Sequence, residues 1–330
     1  MQEFTVGLIG CGHMAQHLVA QAANLDGVTI AATCDVIPER AEQTAAKFGA
    51  RPYTDYADLL KHPALNAVIV ATPNSVHCPP VVAAAQAGMQ IYCEKPMAPT
   101  LEECDRMMAA ADAAGVKLMI GQVLRYFPVF HRSHEIIASG MLGDPRVVLI
   151  QRTGNVDDPF GVGWRAHFSE CGGVLMEVNA HELDFLCHVC GPAKSVFAKG
   201  LRLVNGGYDY DDALLVQVEF QSGTLACLHA SISASMTEYH MTFQCAEGTL
   251  INGGFGGPIR YARFSEQPKV VEAGDIEMED PYRHELRLFF EAVRKGEEPP
   301  VTGPQARQAV ELALAAYESA RTGVPVDLPL

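Results

Sequence analysis

The stretch Phe4–Ala15, FTVGLIGCGHMA, decides how the first third of the chain is read. A short apolar and β-branched run, FTVGLIG, ends in Gly10-Cys11-Gly12-His13-Met14-Ala15, and helical periodicity starts there. Strand, glycine turn and helix follow in that order. Gly10 permits a tight turn, Gly12 lets a pyrophosphate approach the backbone, and Ala15 keeps the helix close to the strand. The helix start at His13 and Met14 supplies N–H donors and the positive end of the dipole. The pattern predicts a dinucleotide site.

Working outward, a second strand, VTIAATCD, closes on Asp35, 25 residues after Gly10, near the usual place for a carboxylate on the adenosine ribose. A carboxylate there accepts from both ribose hydroxyls and repels a 2′-phosphate, which favours NAD. Arg40, in VIPERAE, offers a guanidinium to such a phosphate and leaves NADP open. Three more strands follow in ALNAVIVATPNSVH, MQIYCEKP and VKLMIGQ, separated by the Ala-rich helices PPVVAAAQAG and LEECDRMMAAADAAG. This alternation predicts parallel βαβ units in a doubly wound α/β domain over residues 1–122, a Rossmann architecture with ligands at the carboxyl ends of its strands. Thr72, Asn74, His77, Glu94 and Lys95 all fall at such ends.

The chain has 330 residues, 48% of them hydrophobic, enough for two domains with their own cores. A formal charge of −15, with 39 acidic against 24 basic residues, repels phosphate backbones, so nucleic acid is not an expected partner. No apolar run approaches the roughly 20 residues of a membrane span, and the first residues lack a basic leader, so the expectation is a cytoplasmic protein with no membrane partner. Ten cysteines are scattered without a framework and are expected as reduced, mostly buried thiols.

From Arg146 onward strands dominate: RVVLIQRTG, SVFAKGLRLV, ALLVQVEFQSG, TLACLHASIS, YHMTFQCAEGTL and PIRYARFSE, separated by Gly, Asn and Asp turns. They predict a second, α+β domain over residues 123–330. Before most of them comes GGVLMEVNAHELDFLCHVCG, Gly172 to Gly191, which reads as one apolar helix. Glu177, His181, Asp184 and His188 lie along one face of it at i, i+4, i+7 and i+11. Such a stripe either faces water or lines a site. Around it Arg125, Asn155, Asp157, Asp158, Trp164 and Arg165 offer the donors, acceptors and aromatic face that recognition of a small hydroxylated molecule needs. Cys187-x-x-Cys190 has zinc-type ligands, but no second pair follows and Gly191-Pro192 marks a helix end, so no metal is expected.

Glu94-Lys95-Pro96, with ATPNSVH, GCGHMA, QVLRYFP, GWR and GGVLMEVNAHELD, resembles the glucose-fructose oxidoreductase / inositol dehydrogenase / MocA family over nearly the whole chain. The resemblance implies an N-terminal Rossmann domain and a C-terminal domain on a large, mostly antiparallel, open-faced sheet that makes a homodimer or homotetramer. It implies Lys95 and His181 as catalytic groups, with a carboxylate four residues before the histidine; here that is Glu177, where Asp is commoner, and Asn179 stands where the pattern has Gly. The Glu177–His181–Asp184 edge would then be the substrate-facing wall of a domain cleft, opposite Lys95 and the nicotinamide, leaving only His188 on the surface. Trp164-Arg165 and Tyr282 match residues that touch the cofactor in some relatives.

The implied activity is hydride transfer between NAD(P) and a secondary hydroxyl or ketone of a sugar, sugar derivative or polyol such as an inositol. His181 would be the general acid/base, Lys95 would stabilise the alkoxide, and Lys95, Arg125, Asn155, Trp164, Glu177 and His181 would hold the substrate. Three alternatives stay open: a redox-cycling, NAD-dependent glycosidase, an anhydro- or keto-sugar reductase, and a non-catalytic dinucleotide-sensing regulator.

Overall fold

The computed structural model of the chain describes residues 3–155, 161–204 and 206–330. They form two compact units, the first of residues 1–122 with Tyr282–Arg307, the second of Val123–Pro281 with Gln308–Leu330.

The first unit is built on six parallel strands: β1 (Phe4–Ile9), β2 (Val28–Cys34), β3 (Arg51–Tyr53), β4 (Ala67–Val70), β5 (Gln90–Glu94) and β6 (Leu118–Gly121). Their order is β3-β2-β1-β4-β5-β6. The winding therefore reverses between β1 and β4, which creates the crevice at the carboxyl edge where such sheets take ligands. β4, AVIV, is buried at every position, as a parallel strand covered on both faces must be. Helices α1 (His13–Ala22), α2 (Pro38–Phe48), α3 (Tyr56–Leu59), α4 (Cys78–Gln86) and α5 (Leu101–Ala114) make the crossovers. Thr100 caps α5 by accepting from the Glu103 N–H at 3.2 Å, and Gly115 ends it at φ +66°.

Residues 282–307 depart from the expected division into 1–122 and 123–330, because they pack with the first unit. After most of the second unit, the chain returns in a helix over Pro281–Lys295, α10, whose apolar stripe buries Leu286, Phe289 and Phe290. Phe290 lies 4.7 Å from the ring of Phe4 and Phe289 6.1 Å from that of Tyr92, and the Tyr92 hydroxyl donates to Glu285 at 2.8 Å. Each buried phenylalanine contributes about 1.5–3 kcal/mol of transfer free energy, a pull that chain order does not announce.

The second unit carries a nine-stranded sheet: β7 (Pro145–Asn155), β8 (Ala193–Leu201), β9 (Ala213–Phe220), β10 (Leu225–Ser231), β11 (Ser233–Cys245), β12 (Gly248–Asn252), β13 (Ile259–Arg263), β14 (Lys269–Val271) and β15 (Val326–Asp327). In the order β14-β13-β12-β11-β7-β10-β9-β8-β15, β7 and β10 alone pair in parallel among the described residues. Burial alternates along β9, so one face is core while the other leaves Leu149, Leu215 and Leu225 exposed. The helices of this unit are α6 (Pro128–Ala138), α7 (Phe168–Cys171), α8 (Gly173–Glu177) and α9 (Ala180–Cys190), with most of α11 (Gly303–Thr322). None of the described helices is long and apolar enough to cross a membrane. None of the ten cysteines is in a disulfide, and burial pushes the thiols of Cys11 and Cys34 up, to about 11 and about 12.

Candidate functional site

At the reversal point the backbone of Gly10 takes φ +92°, and a Cβ there would lie 2.5 Å from the carbonyl oxygen of Ala71. Only glycine lets β1 turn so close to the chain leaving β4. Gly12 is the N-cap of α1, has no side-chain cap bond, and a Cβ on it would meet nothing within 4 Å. The helix start thus opens onto free space, with His13 and Met14 exposed in its first turn. Asp35 is pinned beside this turn: one carboxylate oxygen accepts from the Cys11 N–H and the other from the Ile37 N–H, both at 2.9 Å. Each oxygen keeps a lone-pair direction for a ribose hydroxyl. Arg40 is exposed on α2.

Further along the same edge, Thr72 keeps its hydroxyl buried with no hydrogen-bond partner among the described residues, and Asn74 is buried in the turn after β4. Glu94 is buried at the end of β5, one of its oxygens accepting from the Lys95 N–H at 3.1 Å, and Lys95 is half-buried. Tyr282, in the first turn of α10, lies edge-on to His17 of α1 at 4.6 Å. His77 differs from expectation. Its ring is fully buried, with Nδ1 2.9 Å from the Pro96 carbonyl and Nε2 2.9 Å from the Thr72 carbonyl. It is a strut tying the loops after β4 and β5, and burial pushes its imidazole down. Gln122, which the sequence reading passed over, directly follows β6, with its amide oxygen buried and unbonded among the described residues. Its position closing the strand run VKLMIGQ was the available signal. The open helix start, the pinned carboxylate and the orphaned polar atoms of Thr72 and Gln122 fit a dinucleotide.

In the second unit the stripe from Gly172 to Gly191 is not one helix. α8 ends at Glu177 and α9 begins at Ala180, with Val178 and Asn179 between them at φ/ψ of −101°/−50° and −97°/8°. Both their N–H groups converge on the Val174 carbonyl, at 2.9 and 3.0 Å. A β-branched residue followed by Asn, both poor helix formers, gives way there. Glu177 and His181 therefore flank a break. Glu177 is buried and accepts from Arg165 Nε at 2.8 Å, while the Arg165 guanidinium lies 4.8 Å over the Trp164 ring. The Arg165 carbonyl in turn accepts from Tyr210 at 2.8 Å. His181 is half-buried in the first turn of α9.

Arg125 also departs from its expected role. Its Nε and Nη2 donate to the two oxygens of Asp184 at 2.7 Å each, and both side chains are buried. Burial pushes the Asp184 carboxyl up and the guanidinium pulls it back. This is a structural fork anchoring α9. His188, expected on the surface, is half-buried against His134 with ring centroids 4.2 Å apart. Asn155 ends β7; its side chain, and Asp157 and Asp158, lie outside the described residues.

Comparison with known proteins accords with these features. Residues 4–122 match the model of an oxidoreductase family with an NAD-binding Rossmann fold, and residues 130–251 that of the GFO/IDH/MocA C-terminal domain. The chain is 28% identical over 334 residues to a 1,5-anhydro-D-fructose reductase of Ensifer adhaerens, covering 98% of each. It is 28% identical over 336 residues to a scyllo-inositol 2-dehydrogenase (NAD(+)) of Bacillus subtilis, covering 98% of this chain and 94% of that one. The crystal structure of the WlbA dehydrogenase from Bordetella pertussis, in complex with NADH and UDP-GlcNAcA, superposes with a TM-score of 0.89 at 26% identity, covering 100% of this chain and 99% of that one. With both domain models matched in order over most of its length, the chain belongs to the GFO/IDH/MocA family of NAD-binding oxidoreductases.

Proposed function

We propose that this oxidoreductase moves a hydride between NAD and a secondary hydroxyl or ketone of a sugar, sugar derivative or polyol. The observation that carries this reading is the carboxyl edge of the first sheet, where the Gly10–Gly12 turn, Asp35 and the Glu94-Lys95-Pro96 turn stand along one crevice. Support for the substrate class comes from the sugar reductase and inositol dehydrogenase relatives.

Bound NAD supplies the hydride acceptor, and NADH the donor. His181, an imidazole and so a side chain suited to proton exchange near neutral pH, takes the hydroxyl proton in one direction and returns it in the other. Lys95 stabilises negative charge that develops on substrate oxygen in the transition state, an effect worth about 3–4 kcal/mol when the donor is preorganised. Glu177 holds Arg165 against Trp164, and this pair meets the cofactor or the substrate. Asp35 favours NAD over NADP. The exposed face bearing Leu149, Leu215 and Leu225 is covered by a second copy of the chain, which a sedimentation run showing only monomer would contradict.

The reading is tested by incubating the protein with NAD or NADP and a panel of inositols, free aldoses, anhydro-sugars and glycosides while following nicotinamide absorbance. Net reduction on a polyol or sugar supports the dehydrogenase. Release of sugar from a glycoside without net reduction would replace it with the redox-cycling glycosidase, and silence throughout with the regulator. The reductase is the same chemistry run from NADH, and the full-length match to 1,5-anhydro-D-fructose reductase makes an anhydro-ketose the first substrate to try in that direction.

A further inference from the structure

The break between α8 and α9 is held from below by a polar cluster that the chemistry proposed above does not use. Glu182, the residue after His181, has no exposed surface. Its carboxylate accepts from Arg152 Nη1 at 2.8 Å, from the Tyr239 hydroxyl, and from Asn179 Nδ2 at 2.9 Å. The same Arg152 nitrogen donates to the Val178 carbonyl at 3.0 Å, and the Arg152 guanidinium lies 5.2 Å over the Tyr239 ring. Arg152 and Tyr239 are direct cross-strand neighbours on β7 and β11. Two adjacent sheet strands therefore grip both residues of the break, Val178 by its backbone and Asn179 through Glu182.

A carboxylate with no exposed surface is costly unless it is paired and hydrogen-bonded, and here it has an ion pair and two further donors. Burying it one residue from His181 fixes the start of α9 in both position and rotation, because Glu182 cannot turn without leaving all three donors. Asn179, standing where the family resemblance has Gly, supplies one of those donors.

We propose that Glu182, clamped by Arg152, Tyr239 and Asn179, is a positioning residue that sets the orientation of the His181 imidazole. The proposal rests on the reading of His181 as the acid/base group only for its consequence in turnover; the placement of the ring is observable without turnover. Glu182→Gln removes the negative charge that Arg152 pairs with here and changes the hydrogen-bond pattern, whereas Tyr239→Phe removes one hydroxyl and is the milder variant if Glu182→Gln fails to fold.

The experiment titrates the His181 imidazole by NMR in the intact protein without substrate, its signal assigned by its loss in His181→Asn. The expected result is a midpoint lowered by about 0.5 unit or more in Glu182→Gln, where a nearby negative charge is lost, and a smaller displacement in Tyr239→Phe, which keeps that charge and so reports the change of placement. On the best substrate, kcat should fall by about 10- to 100-fold in Glu182→Gln while the Kd for NAD is unchanged. An unmoved His181 midpoint in the folded variants overturns the proposal, even if kcat falls, because the loss would then be general destabilisation. Near-native turnover in His181→Asn would instead overturn the acid/base reading, and the titration would still judge the clamp.

Discussion

Arg125 and Asp184 face each other through two parallel N–H···O bonds of 2.7 Å, across 59 residues of sequence, with both side chains buried. The pair joins the segment leaving β6 to the middle of α9. Removing one member strands a buried charge, whereas replacing both with apolar groups of similar volume does not. Arg125→Met should therefore cost about 3–5 kcal/mol, and Arg125→Met combined with Asp184→Leu markedly less. Urea unfolding of the wild type, Arg125→Met, Asp184→Leu and the double variant measures both quantities, and additive losses in the double variant would contradict the pairing.

The two turn glycines should fail differently. At Gly10 a side chain meets both a φ of +92° and the Ala71 carbonyl, so Gly10→Ala should lower stability by more than the about 1–2 kcal/mol of the backbone conformation alone. At Gly12 an added methyl meets no protein atom, so Gly12→Ala should fold with an unchanged Tm and bind NAD more weakly. Thermal melts and NAD titration of each variant separate the two effects.

Asp35 is held by two backbone N–H groups and is thereby aimed, with little freedom to swing away from an incoming 2′-phosphate. Asp35→Ser should narrow the preference for NAD over NADP at least about tenfold, the size of one lost charge-assisted hydrogen bond. Dissociation constants for the two dinucleotides give the ratio directly. An unchanged ratio would remove Asp35 from the discrimination.

Stability should also depend on pH through the histidines behind α9. Burial, aided by Arg125 and His134, pushes the His188 imidazole down to about 3, and burial lowers that of His134 as well. Between about 3 and the ordinary value near 6.5 the unfolded chain binds protons that the folded chain refuses. The stabilising contribution is full above about 6.5 and is lost as pH falls below it. Unfolding free energies measured on either side of that value should fall toward acid, with a shallower slope in His188→Gln; an identical slope would show that His188 takes up its proton in the folded state.

The parts legible in the sequence are those that local backbone demands dictate. Gly10, Gly12 and Asp35 could be placed because a turn, a helix start and a strand end each require a particular residue at a fixed spacing. The alternating pattern of ALLVQVEF likewise announced a half-exposed strand. Partners distant in sequence carried no such signal. Nothing near Arg125 announces Asp184, nothing near Tyr92 announces Glu285 on α10, and the i, i+4 spacing of Glu177 and His181 conceals the break at Val178–Asn179. Periodicity continues through a kink, so a stripe of polar residues reads as one face even where the chain divides it.

The most direct test of the central claim compares NADH formation on the best polyol or sugar substrate by the wild-type protein, Lys95→Ala and His181→Asn, with the Kd for NAD measured alongside. The account predicts turnover reduced by about 10² or more in each variant while NAD binding holds within a small factor. Near-native turnover in either variant would contradict the role given to that residue.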